Sequence, residues 1–147
     1  MKTIRLSLIL LALACAEPTA TLSRPAAQAI VGQQSNSYFI NATNRTVYLT
    51  VAQMRGENGE PVHAFVKRMF VSADSAAAQR IVVDLRSIAD GDSRLVVPLI
   101  RGVATRDRFV KRGGVYVVVG PDSFSPRQNV ARLLEQYANP IFVDEAP

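Results

Sequence analysis

One cysteine, one histidine and no tryptophan limit what this chain of 147 residues can do. A single cysteine, Cys15, closes no internal disulfide, so no covalent staple holds the fold. A single histidine, His63, cannot make a zinc centre, which needs several nitrogen or sulfur donors. As a general base it would need a nucleophile and an orienting carboxylate brought to it by the fold. Aromatic residues make up 7% of the chain, too few and too scattered for the stacking platform that single-stranded nucleic acid requires. No glycine-rich loop opens onto a helix to cradle phosphate, because Gly113-Gly114 leads into an apolar run that reads as a strand. The apolar stretch from Leu6 to Ala14 is shorter than the roughly 20 residues that span a bilayer as a helix. These absences leave no cofactor, no metal and no catalytic set to name.

What is present begins with an address. Lys2 and Arg5 precede the Leu6–Ala14 stretch, and small residues follow it, which is the pattern of a secretory signal over residues 1–16. Two exits are open. Cleavage after Ala16 or Ala20 discards Cys15. Alternatively, Ala12-Leu13-Ala14-Cys15 resembles the bacterial lipobox, which would make 1–14 a lipoprotein signal and lipidate Cys15 as the new N-terminus. Both exits place the protein outside the cytoplasm, in the periplasm or at the outer membrane. Loss of the signal removes Lys2 and Arg5, so the formal charge falls from +5 to +3. Residues 17–36, rich in Ala, Pro, Ser, Thr and Gln, read as a tether or flexible lead-in, with a first short strand expected at Ala29–Val31.

Residues 37–147 read as a single domain. Val47, Leu49 and Val51 alternate with Thr46, Tyr48 and Thr50, the period of a half-buried strand. Asn58-Gly59 is the strongest short-range hairpin signal, and the return strand is expected at 62–71. Further strands are expected at 80–86, at 94–100 with Pro98 confining it to an edge or bulge, and at 115–119. Asp90-Gly91 marks a turn. The period then changes: Ser125, Pro126 and Gln128 write a helix start, and Val130, Leu133, Leu134 and Tyr137 form one apolar stripe. Asn139-Pro140 ends that helix, which occupies about 125–138, and Ile141–Val143 reads as an edge strand. Strands at roughly ten-residue spacing predict a mainly β fold, an immunoglobulin-like β-sandwich with one C-terminal amphipathic helix.

The segment YFINATNRTVYLTVAQMRGENGEP resembles the early strands of the immunoglobulin-like first domain of periplasmic pilus chaperones. MFVSADSAAAQRIVVD is similar to the segment that follows in that family. The resemblance covers about 38–120 and implies a sandwich and an exported address. The family's second domain and its paired basic residues have no counterpart here, so chaperone activity does not carry over.

Charge is densest in RGVATRDRFVKR, where Arg101, Arg106, Arg108, Lys111 and Arg112 stand against Asp107 alone. Such a segment either meets an anionic partner or forms a solvated loop. Asp90 and Asp92 around Gly91 fall short of a calcium loop, which needs further oxygen ligands and a closing Glu. The sequons at Asn41 and Asn44 lie in a stretch that reads as a turn. The leading expectation is therefore a non-enzymatic envelope protein that binds or helps assemble another envelope or surface component. Its partner is an unidentified envelope protein, with membrane attachment through a lipidated Cys15 and no role for nucleic acid. Two alternatives remain open. One is a small secreted hydrolase in which His63 meets Asp84 or Asp107; the other is a binder of anionic lipid or polysaccharide surfaces through 101–112.

Overall fold

A computed structural model describes residues 35–54, 56–88, 96–120 and 125–144. Cys15, the signal, Ala29–Val31 and the Asp90-Gly91 turn lie outside the described residues. Five strands, β1 (Ser37–Asn41), β2 (Thr46–Thr50), β3 (Arg80–Asp84), β4 (Val115–Val119) and β5 (Ile141–Asp144), make one sheet in sequential order. β1 runs antiparallel to β2, and the remaining pairs are parallel. The helices are α1 (Val62–Ser75), α2 (Val97–Ala104), α3 (Asp107–Val110) and α4 (Ser125–Tyr137).

This arrangement overturns the sandwich. The fold is α/β, a single mixed sheet with helices, and the physical reason lies in two segments whose period belongs to a helix. Val62, Phe65, Val66, Met69, Phe70 and Ala73 are the buried residues of α1, spaced i, i+3, i+4, i+7, i+8 and i+11. Threaded as a strand, the pairs Phe65-Val66 and Met69-Phe70 would send apolar side chains to both faces. Wound as a helix, all six share one face. The second segment is 94–100. Pro98 stands in the first turn of α2, where its missing N–H is no loss, and Leu99, Ile100 and Val103 are buried.

The turn at Asn58-Gly59 forms as its residues require. Asn58 (φ 51°) and Gly59 (φ 80°) are both left-handed, and Glu57 and Glu60 exchange two backbone hydrogen bonds of 2.9 Å. That single bridge is all the hairpin there is, because α1 begins at Val62. Strands form within the expected segments 46–54, 80–86 and 115–119, ending at Thr50, Asp84 and Val119, and the helix near 125–138 and the edge strand after it are present. The NATNRT stretch is the β1–β2 turn, where Asn41 Oδ1 accepts the backbone N–H of Thr43 (3.0 Å) and of Asn44 (3.3 Å).

Parallel neighbours need a crossover, and successive right-handed crossovers in one direction put every helix on the same side. The core records this. Val47, Leu49, Ile81, Val83, Val115 and Val117 from the sheet share one cluster with residues of all four helices. Each large side chain buried there stabilises by about 1.5–3 kcal/mol. The opposite face carries a small separate cluster of Tyr48 and Val82 with Tyr116 and Val118 against it, and Phe39 stacks on Tyr48 at 4.6 Å. In α4, Val130 and Leu134 are fully buried and Leu133 packs against the core. Tyr137, expected to join that stripe, is instead 49% exposed, because the helix leaves the core in its last turn and Ala138 packs in its place.

Candidate functional site

Open parallel sheets usually bind ligands where strand order reverses and leaves a crevice at the carboxyl ends. The sequential order here has no such reversal among its parallel strands. The carboxyl end of β3 is closed instead: Asp84, 1% exposed, accepts hydrogen bonds from the backbone N–H of Arg86 (3.0 Å), its Nε (3.0 Å) and its Nη2 (2.8 Å). That carboxylate is structural. Concave surface lies instead on the helical layer.

The basic segment 101–112 does not act as one patch. It is divided by α2, α3 and the loop between them. Arg106 donates to Asp74 at the end of α1 through Nε (3.0 Å) and Nη2 (2.7 Å), and to the Gly102 carbonyl through Nη1 (2.7 Å). Its guanidinium also lies 4.4 Å over the Phe70 ring. Arg108 pairs with the same carboxylate and lies 4.6 Å over Phe109. The hydrogen bond from Arg106, aided by Arg108, holds the Asp74 carboxyl at about 2, well below its ordinary range. These two arginines therefore clamp α3 to α1. Lys111 and Arg112 are exposed beyond α3, with Arg112 reaching Asn139 at 3.5 Å. Of the five, Arg101 and Arg106 line a hollow, and Arg106 does so from its clamp on Asp74.

That hollow is a groove of about 490 Å³ between α1 and α2. Its apolar surface comes from Val66, Phe70, Val71, Val97, Pro98 and Gly102, its cations are Lys67, Arg101 and Arg106, and His63 and Thr105 complete the polar lining. No acid is among its described lining residues. His63, Lys67 and Val71 follow one another at i, i+4 and i+8 along α1, so they form one wall; Val97, Arg101 and Thr105 form the other by the same spacing. His63, expected on a strand, is thus an exposed helical residue. It faces cations rather than Asp84 or Asp107, the juxtaposition that a hydrolase reading requires. Val71 (57% exposed) and Val97 (42%) leave apolar surface at the lips.

A smaller hollow of about 260 Å³ sits beside the start of α1, lined by Asn36, Glu57, Glu60, Phe65 and Arg68 among others. Arg68 donates to both Glu60 oxygens (3.0 and 2.7 Å) and to Tyr38 Oη (3.3 Å). The Arg68 hydrogen bond lowers the Glu60 carboxyl, and Glu60 in turn raises the Arg68 guanidinium. Its cation is already matched, so this hollow offers a ligand little charge.

Sequence reasoning found Arg101 but missed Lys67 and the apolar floor, since 62–71 was read with a strand period. The signal was available in the helical spacing of Val62, Phe65, Val66, Met69 and Phe70. Among the described residues no group of three or more His, Cys, Asp or Glu could hold a metal, and no helix is long and apolar enough to cross a membrane. Compared with known proteins, the chain matches no family model, no curated protein and no solved structure.

Proposed function

We propose that this chain is an exported, non-enzymatic binding module of the cell envelope, and that the α1–α2 groove receives an anionic part of another envelope component. The signal-like N-terminus and the tether-like composition of 17–36 support the address. One observation carries the binding reading: an open apolar groove rimmed by His63, Lys67 and Arg101, with no acid among its described lining residues. A solvated helical face would intersperse both signs of charge, whereas a single sign around apolar surface suits a ligand of opposite charge.

The test uses the protein as purified from cells. Intact mass identifies its N-terminus and any lipid on Cys15. The immobilised protein is then challenged with detergent-solubilised envelope extract, alongside a Lys67→Glu/Arg101→Glu variant shown by circular dichroism to be folded. The wild type is expected to retain material that the variant does not, and to release it as salt rises, because exposed charges are screened beyond about 8–10 Å at physiological ionic strength. Equal retention by both proteins would refute the groove as the binding face.

A further inference from the structure

Resting on that reading, we infer that the groove's occupant is a single-chain anionic amphiphile: one acyl or alkyl chain laid on the apolar floor, its carboxylate or phosphate head held by Lys67 and Arg101. Four features of the groove lead there. Its volume of about 490 Å³ falls in the range of small-molecule sites, about 300–1,000 Å³. Both walls are helices, whose backbone groups are bonded internally, so an extended peptide would find no strand edge to pair with. Val66, Phe70 and Pro98 with the lip residues Val71 and Val97 offer apolar contact, and the lining hydroxyl of Thr105 already donates to the Arg101 carbonyl at 2.9 Å, which leaves little for a sugar. The concave shape admits a separate chain and excludes the flat face of a bilayer.

The charges complete the match. Gly102 packs against Phe70, so α1 and α2 approach closely beside the groove. Lys67 on α1 and Arg101 on α2 line that groove from opposite walls, so one compact head group seated between them can meet both charges. Neither has an ion-pair partner among the described residues, whereas Arg106 closes the far end of the groove in its clamp on Asp74. Val71 and Val97 stand exposed at the lips, and a seated chain would remove their apolar surface from water.

The probes are dodecanoate and dodecyl phosphate below their micellar concentrations. Dodecyl maltoside serves as the neutral chain, inorganic phosphate as the head alone, and a synthetic acidic amphipathic peptide as the rival occupant. Titration calorimetry with native mass spectrometry is expected to give 1:1 binding of one or both anionic amphiphiles. The preferred head distinguishes a carboxylate from a phosphate source. Neutral chain and free phosphate are expected to bind weakly or not at all. Lys67→Glu/Arg101→Glu should weaken amphiphile binding by about tenfold or more, and Val71→Ser should weaken it with the cations intact. Binding that the charge reversal leaves unchanged, or that needs several amphiphiles per chain, would overturn the inference. Peptide binding without amphiphile binding would overturn it too while leaving the groove as the binding face. If no probe binds but extract retention still depends on Lys67 and Arg101, this ligand class fails and the broader reading stands.

Discussion

Replacing Gly102 with alanine sets two well-measured effects against each other. Within a helix, alanine is favoured over glycine by about 0.8–1.0 kcal/mol, so on propensity alone Gly102→Ala would stabilise α2. Packing opposes it. A Cβ at this position would lie 2.5 Å from Phe70 Cδ2 and 2.6 Å from Cζ, with Cε2 closer still. The ring has little freedom to yield: Phe70 is 4% exposed, its centroid is 6.2 Å from that of Phe109, and the Arg106 guanidinium covers it at 4.4 Å. Forcing a methyl group into such a site costs about 1–3 kcal/mol. With an overlap this deep the upper half of that range applies, leaving a net loss of roughly 1–2 kcal/mol after the helix gain. For a domain of this size the melting temperature should fall by about 5–10 °C. Urea unfolding of both proteins, fitted with a common slope, measures the difference. Phe70→Leu combined with Gly102→Ala should lose less than the sum of the single changes, by about 1 kcal/mol, since the smaller side chain makes room. An unchanged or raised midpoint for Gly102→Ala would refute the packing argument.

Three further outcomes are expected. Asp74, its folded pKa lowered to about 2 by Arg106 and Arg108, contributes stability that is present above the ordinary carboxylate range and is lost as pH falls from about 4 to about 2. With a side chain 43% exposed, that contribution is about 1 kcal/mol; the stability gap between wild type and Asp74→Asn, followed by urea unfolding across that window, should close at the acid end, and a gap that stays constant would contradict the assignment. Asp84→Asn should destabilise by about 1–3 kcal/mol in denaturant titration, because the buried Asp84 side chain loses its charge-assisted hydrogen bonds from Arg86. Leu134→Ala should lose roughly 2–5 kcal/mol while Tyr137→Ala stays within about 0.5 kcal/mol, and equal effects of the two would show that α4 faces the core differently.

Local pattern settled a good part of this molecule. The β2, β3 and β4 segments carry short β-branched runs, which favour a pleated, buried strand. The helix near 125–138 has its apolar stripe and its proline punctuation in the chain itself, and Asn58-Gly59 makes its tight turn because those residues tolerate left-handed backbone. What the residues alone left open was how the segments on either side of a turn would be used. Val62–Val71 and Arg94–Ile100 are apolar runs whose length suits a strand or a helix. Burial enforces the helical spacing that the first run already carries, since a helix puts Phe65, Val66, Met69 and Phe70 on one buried face where a strand would have exposed half of them. Once Val62–Ser75 and Val97–Ala104 wind up as helices, the neighbouring strands are too far apart in sequence for hairpins and pair in parallel. The sandwich is then unavailable.

The same division holds for function. The short charged start and the apolar run after it have the composition and order of a secretory signal, and Arg101 through Arg112 stood out as a basic segment by count. Which of those cations is free for a ligand was decided by tertiary contacts, through Asp74, which takes Arg106 and Arg108 from 32 and 34 residues away. A charge is defined by its residue. Whether that charge is available depends on what the fold places beside it, and Lys67 came to stand beside Arg101 only because two helices pack at Phe70 and Gly102.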